Sequence, residues 1–251
     1  MVNKLQYISA GEKYLLARRL MFCTLGAGNA YLRSFYEGVY EERDVHMKQE
    51  ERTELTRAKI LDAAMEEFGK SGYNGGSINN ICKRGIHKGL VYHNFKDKDE
   101  LYILCVKKSC DHLVNYMEQV NAEESIEHYM SARMRFFREH RSEAYIFFEA
   151  LLDPPEHLKE PVSESLKAFD DLNLRIYKKT ISRLSLRPDV TDEDALHYFS
   201  LFQKMFNGYF CSPAFQNTDL ETKVEAHETN IPRILDFFLY GIAERSETKS
   251  C

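Results

Sequence analysis

Residues that could bind phosphate are concentrated between positions 87 and 98 of the 251-residue chain. Lysine and histidine offer positive charge and tyrosine offers a hydroxyl donor, and proteins contact the DNA backbone with such groups. One lysine alone is as often a solvated side chain as a ligand, but several donors in one short segment favour a binding surface. The donors are His87, Lys88, Tyr92, His93, Lys96 and Lys98.

A helix from His87 to about Phe95 would present these donors. A helix of this kind fits the major groove of DNA, which is about 12 Å wide, with its early residues facing the base edges. Lys88 is the best candidate for a base or phosphate donor. Gly89 would let the backbone approach DNA closely, and Leu90 is a candidate for groove contact.

A second helix is predicted to begin after Ser77, whose hydroxyl can accept from free backbone amides. The helix start beyond it could itself receive a phosphate. Asn79 and Asn80 would face outward from this helix. Gly85 would form the turn after this helix, because glycine accepts the positive φ that few other residues adopt.

A first helix is predicted from about Thr53 to Lys70, with Gly72 as a left-handed cap. Thr56 and Arg57 lie near its start. Two interpretations remain for them: they contact a DNA phosphate, or they are solvated side chains at a helix end. A fourth helix should begin after Asp97, a natural cap.

These elements resemble the amino-terminal domain of the TetR (tetracycline-repressor) family of transcriptional regulators. The resemblance covers under a quarter of the chain. It is carried by Lys70-Ser71-Gly72-Tyr73, Ser77, Gly85-Ile86-His87-Lys88-Gly89, Tyr92-His93-Asn94-Phe95 and Lys98. It implies an all-α protein that binds double-stranded DNA as a homodimer and releases it on binding a small-molecule inducer. It also implies phosphate contacts at Thr56, Arg57, Tyr92, His93 and Lys98.

One spacing departs from the family pattern, in which eight residues separate the capping Ser/Thr from the turn glycine. Here seven residues lie between Ser77 and Gly85. Removing one residue from a helix rotates all later residues by about 100°. Either the second helix ends early and the turn absorbs the change, or DNA recognition is altered or lost. The second case would leave a dimeric ligand-binding or interaction protein with a vestigial head.

Charge is distributed unevenly along the chain. Residues 1–51, 52–108 and 109–251 carry formal charges of 0, +4 and −9, within a total of −5. A basic segment joined to an acidic remainder suits specific DNA binding better than indiscriminate adhesion. Helical spacing of apolar residues after position 52 indicates an all-α fold.

Motifs for other functions are missing from the sequence. It contains no His-Glu-x-x-His, Gly-x-Ser-x-Gly or phosphate-cradling glycine loop, so we expect no enzymatic activity and no cofactor. The six cysteines do not have the spacing of a disulfide framework, which predicts structural thiols in a cytoplasmic protein. They do not have the spacing of metal ligands either, so we expect no metal. No stretch approaches the roughly 20 apolar residues of a membrane span.

Residues 1–46 differ from the rest of the chain, and three interpretations compete. They are a secretory signal, an amphipathic extension, or translated sequence upstream of a start at Met47. We favour the third, because residues 47–52 give the short polar lead that precedes the first helix in TetR relatives. We therefore expect residues 1–46 to add nothing to DNA binding.

The predicted domains are a helix-turn-helix domain over 47–99, a helical body over 100–245 and a polar tail over 246–251. The body is rich in aromatic residues, most of which must be core. Such a density of rings also suggests an apolar ligand cavity. The candidate lining is Phe136, Phe137, Tyr145, Phe148, Phe169, Tyr177, Phe199 and Phe202.

The last two helices are more apolar than a lone surface helix requires, which predicts that they form a dimer interface. The candidate interface residues are Phe206, Phe210, Ile234, Leu235, Phe238 and Ile242.

Overall fold

The computed structural model describes residues 30–215 and 217–242, with side chains over 49–215 and 217–241. The described part is all-helical, as predicted, and contains nine α-helices. They are α1 (Ala30–Gly75), α2 (Ile78–Cys82), α3 (Lys88–Asn94), α4 (Lys98–Gln119), α5 (Ile126–Glu139), α6 (Arg141–Leu152), α7 (Lys159–Ile181), α8 (Asp192–Phe210) and α9 (Leu220–Ile242). The expectations for residues 1–29 and 246–251 lie outside the described residues.

The chain divides after Thr56 into two compact units, each described by itself. In the first unit, α1 begins at Ala30 rather than near Thr53, so the predicted start was wrong. Residues 30–52 contain no proline and hold five Glu and three Arg, which are good helix formers. Nothing local therefore stops the helix upstream of Thr53.

In the second unit, α1 to α3 form a small head, residues 57–97, around apolar side chains. Ile60, Phe68 and Ile81 are fully buried, and Val91 and Phe95 are nearly so. Gly72 breaks the regular helix at the end of α1 with a φ of 64°, in the left-handed region that glycine tolerates. The predicted positive φ at this position is confirmed.

Helices α4 to α9 form the body, and α4 lies at its centre. Leu101, Cys105, Leu113 and Met117 are fully buried along α4, which packs against α5, α6 and α7. A smaller apolar cluster joins the end of α7 to α8 and α9 through Tyr177, Phe199 and Leu235, among others.

The apolar spacing of the sequence predicts body helices over about 125–141, 143–152, 162–186, 192–211 and 220–244. Most of these limits agree with the structure within a few residues. The exception is α7, expected over 162–186 and observed from Lys159 to Ile181. Pro161 lies in its first turn, where the missing N–H leaves no hydrogen bond unmade. No helix of the described part is long and apolar enough to cross a membrane.

Candidate DNA-binding surface and ligand cavity

The exposed face of α3 carries most of the predicted DNA-binding residues. Val91 is buried at 1% exposure, whereas Leu90 and Tyr92 are 41% and 51% exposed. His87, Lys88, Gly89 and His93 are exposed as well. The Lys88 ammonium lies 6.0 Å from the centre of the Tyr92 ring, as expected for neighbours one turn apart on one face.

The turn before α3 accommodates the shortened spacing. Helix α2 has five residues, ending at Cys82, and Gly85 has a φ of 81°. Ile78 and Ile81 still face the core, at 8% and 0% exposure. The second helix therefore ends early, as the first alternative expects, and the effect of the shortened spacing on DNA recognition stays a prediction.

At the start of α2, Ser77 caps the helix as predicted, accepting from the backbone N–H of Asn80 at 3.2 Å. Asn79 is exposed. The Asn80 amide instead donates to Glu67 of α1 at 2.8 Å. The expectation that Asn80 lies outside was wrong, because buried Glu67 offers an acceptor that draws it inward.

Near the start of the second unit, Arg57 donates to the backbone carbonyl of Asn94. Its guanidinium lies 4.6 Å from the Phe95 ring centre. Arg57 thus holds the end of α3 in place. The hydroxyl of Thr56, in the first unit, donates to the Arg52 carbonyl at 2.8 Å.

The lysines after α3 differ from each other. Lys96 is exposed, whereas Lys98 is half-buried with its ammonium 4.2 Å from the Tyr73 ring centre. Burial lowers the pKa of Lys98. Between them, Asp97 caps α4 as predicted, accepting from the backbone N–H of Glu100 at 2.9 Å.

A cavity of about 40 Å³ lies in the body between α5, α7, α8 and α9. Four of the eight predicted residues line it, namely Phe169, Tyr177, Phe199 and Phe202. The other four, Phe136, Phe137, Tyr145 and Phe148, do not line it; Phe136, Phe137 and Phe148 pack into the adjoining ring cluster. One water needs at least about 10–15 Å³ of such space, so a larger ligand must widen the cavity.

An open groove of about 520 Å³ adjoins this cavity. Leu151, Phe199, Gln203 and Asn207 line both, so the groove lies directly beside the cavity. Lys159, Lys204 and Asp170 add charged groups to the groove. The two spaces thus share a wall, and the groove carries charged as well as apolar side chains.

A buried ion pair at the cavity wall was not predicted. Arg133 is 2% exposed and donates to both carboxylate oxygens of Glu228, at 2.8 and 3.1 Å. Burial opposes ionisation of Glu228, but Arg133 and His227 outweigh it, and the net pKa is lowered. The signal in the sequence was a charged residue on the otherwise apolar stripe of α5, between Met130 and Phe136.

Tyr177 presents a polar atom without a partner. Its hydroxyl is buried and makes no hydrogen bond to any described residue, while its ring stacks on Phe199 at 3.6 Å. Burial raises the pKa of Tyr177. A buried hydroxyl without a partner costs about 1–3 kcal/mol, which a ligand that hydrogen-bonds to it would recover.

The predicted interface residues largely face inward. Phe206, Phe210 and Leu235 are buried within one chain, at 7%, 2% and 7% exposure, and Phe206 and Leu235 line the cavity. Ile234 and Phe238 are half-buried, and the side chain of Ile242 lies outside the described ones. The exposed apolar side chains of α8 and α9 are Tyr198, Leu201, Met205, Tyr209, Phe237 and Tyr240.

Two family models match the chain. Residues 60–105 match bacterial regulatory proteins of the tetR family, and residues 120–235 match the tetracyclin repressor-like C-terminal domain. Both fall on the head and body described above.

Curated relatives match about a quarter of the chain. The HTH-type transcriptional activator FasR of Mycolicibacterium smegmatis is 34% identical over 64 residues, 25% of this chain and 29% of the relative. The fatty acid metabolism regulator protein of Bacillus subtilis is 31% identical over 62 residues, 24% of this chain and 32% of the relative. The match thus spans under a third of either relative.

Solved structures share the fold over most of the chain. The transcriptional regulator FadR from Bacillus subtilis, in complex with stearoyl-CoA, has a TM-score of 0.52 at 19% identity and covers 74% of this chain and 99% of that one. A TetR-family regulator from Mesorhizobium loti has a TM-score of 0.50 at 20% identity, with 77% and 99% covered.

The two family models together cover most of the head and most of the body. This is a family of regulators and not of enzymes, in agreement with the absence of catalytic motifs. The chain belongs to the TetR family of bacterial regulatory proteins.

Proposed function

We propose that the protein is a ligand-responsive DNA-binding transcriptional regulator, a repressor that leaves a palindromic operator when an apolar ligand enters the body. The observation that carries the proposal is the exposed face of α3. Lys88, Tyr92 and His93 project from a helix whose opposite side is anchored by Val91 in the core.

These side chains would have different roles in DNA recognition. Lys88 opens α3, where recognition helices meet base edges, so it is the best candidate for sequence choice. Tyr92 and His93 stand one turn further along and suit phosphate contacts, which position the protein without reading sequence. Arg57 supports the surface indirectly by holding the end of α3.

The ligand we propose is an acyl-CoA or a similar molecule with a long apolar chain and a polar group. Three features support this choice: an apolar cavity, the unpartnered Tyr177 hydroxyl at its wall and the charged groove beside it. The fold is shared with a regulator solved in complex with stearoyl-CoA. In this proposal the acyl chain widens and fills the cavity, Tyr177 bonds a polar atom of the ligand, and the nucleotide part lies in the groove.

A homodimer would form through the outer face of α8 and α9. Tyr198, Leu201, Met205 and Tyr209 recur every three or four residues on α8 and are 45–66% exposed. Contiguous apolar surface of this kind marks an interaction site. Two-fold pairing would present two α3 helices to half-sites about 34 Å apart, one turn of DNA.

The experiment is selection of bound fragments from the genomic DNA of the organism, followed by affinity measurement on the enriched sequence. We expect a palindrome. Tyr92→Ala should weaken all sequences by similar factors, whereas Lys88→Ala should also change which sequence is preferred. Lys107→Ala is the control, since this exposed lysine pairs with Asp111 on α4. Absence of any enriched sequence would favour the alternative of a vestigial head.

A further inference from the structure

Two histidines and a glutamate meet on the body surface outside the proposed DNA and ligand sites. His112 lies on α4, His140 at the junction of α5 and α6, and Glu143 in the first turn of α6. One potential ligand atom from each lies within 4.8 Å of the other two. Two separate segments of the sequence thus supply donors to one point.

The distances are close to those that a metal ion would require. His112 Nδ1 is hydrogen-bonded to one carboxylate oxygen of Glu143 at 2.6 Å, and His140 Nδ1 lies 3.9 Å from the other. Two donors on one tetrahedral zinc are about 3.3 Å apart, given bonds of about 2.0–2.2 Å. The observed separations lie on either side of this value, so small side-chain rotations bring the donors into range.

The surroundings suit an ion. The side chains of His112, His140 and Glu143 are 45%, 32% and 23% exposed, so an ion can enter and keep a water ligand. The Phe136 ring lies 5.2 Å from the His112 ring and 4.6 Å from the His140 ring. This apolar backing restricts both rings.

We propose that His112, His140 and Glu143 form a site for a divalent transition metal, with zinc as its occupant. Two imidazoles and one carboxylate make a donor set that zinc binds well, with water as the fourth ligand. The site is independent of the proposed DNA and acyl-CoA binding. The sequence predicted no metal, because only His140 and Glu143 are near each other along the chain and His112 comes from another helix.

The test is calorimetric titration of the untagged full chain with Zn²⁺, together with absorption spectra of the Co²⁺ form. We expect one site per chain and a tetrahedral cobalt spectrum with nitrogen and oxygen ligands. His112→Ala and His140→Ala should each weaken zinc binding at least about 100-fold, because loss of an outer-shell partner alone typically costs 10–100-fold. Glu143→Gln should weaken it less than either, since the amide oxygen can still coordinate.

His197→Ala is the matched control, an exposed histidine on α8 beside Tyr198, and it should bind zinc like the wild type. All three histidine variants remove surface side chains, and unchanged circular dichroism verifies folding. Failure of the wild type to bind zinc would overturn the proposal. So would equal affinity in the wild type and His112→Ala, or a thiolate charge-transfer band in the cobalt form, which would assign the metal to cysteine.

Discussion

The backbone N–H of Tyr73 donates to both carboxylate oxygens of Glu149, at 2.9 and 3.0 Å. Tyr73 comes directly after the break in α1 at Gly72, and Glu149 lies on α6, where it also accepts from the Tyr102 hydroxyl at 2.8 Å. Leu151, two residues further along α6, lines the cavity. The Glu149 carboxylate therefore joins the end of the first head helix to a helix of the cavity wall.

Replacing this carboxylate should weaken both stability and the response to ligand. In Glu149→Ala, the Tyr73 N–H and the Tyr102 hydroxyl lose a buried acceptor, which costs about 1–3 kcal/mol in the free energy of unfolding. Denaturant unfolding measures this loss. Glu139→Ala, which removes an exposed carboxylate on α5, is the control.

We also expect the ligand to shift operator affinity less in Glu149→Ala than in the wild type. An undiminished shift would show that the Glu149 contact does not couple the cavity to the head.

The Arg133–Glu228 pair should behave as a unit. Glu228→Gln leaves the Arg133 charge buried without a counterion, so we expect a loss of about 3–5 kcal/mol in the free energy of unfolding. The double variant Arg133→Met/Glu228→Leu should recover most of that loss, because it removes both buried charges together. A double variant whose loss equals the sum of the losses of Arg133→Met and Glu228→Leu alone would contradict the pairing.

The same pair predicts a dependence of stability on pH. The folded-state pKa of Glu228 lies below its ordinary value of 4.5, so folding favours the ionised carboxylate. Its contribution is therefore fully present above the unfolded pKa and is lost as pH falls through the lowered folded value. Below about pH 4.5, the stability advantage of the wild type over Glu228→Gln should shrink, as measured by urea unfolding across that range. A constant difference would show that this carboxylate does not titrate as described.

The turn between α2 and α3 predicts the effect of an insertion. Since Gly85 at a φ of 81° already accommodates the short spacing, one alanine inserted between Arg84 and Gly85 should displace Ile86 and Lys88. We expect operator binding to weaken by more than one lost contact, on the order of 1–3 kcal/mol. Fluorescence anisotropy on the selected operator measures this change. Tighter binding would mean that the native turn misplaces α3.

The outer face of α8 predicts how the dimer can be broken. Met205 is 66% exposed on this face, and Met134 is 58% exposed on α5, away from it. Met205→Glu should shift the protein toward monomer, because it places a charge in the proposed apolar contact, whereas Met134→Glu should not. Light scattering after size-exclusion chromatography distinguishes the two. A dimer that survives Met205→Glu would place the interface elsewhere.

Local signals predicted the head well. The caps at Ser77 and Asp97 and the positive φ at Gly72 and Gly85 depend on short-range chemistry, and all were found as expected. Asn80 was misplaced because its partner, Glu67, lies on another helix. Long-range partners of this kind leave no mark on the spacing of a single helix.

The orientation of α8 shows why the body was harder to predict. Both of its sides are apolar, with Phe199, Phe206 and Phe210 facing inward and Met205 and Tyr209 outward. Periodicity alone cannot decide which side faces a cavity and which faces a second copy. Size alone also misleads, since the exposed residues are as large as the buried ones.

The most direct test of the central claim is the affinity for the selected operator, measured by fluorescence anisotropy with and without saturating stearoyl-CoA. We predict that the ligand weakens operator binding about 5- to 150-fold, the usual range of coupling between sites. Tyr177→Phe should require more ligand for the same effect while folding at least as stably. Operator affinity that does not change while calorimetry records stearoyl-CoA binding, or equal affinity for the operator and a scrambled duplex, would contradict the account.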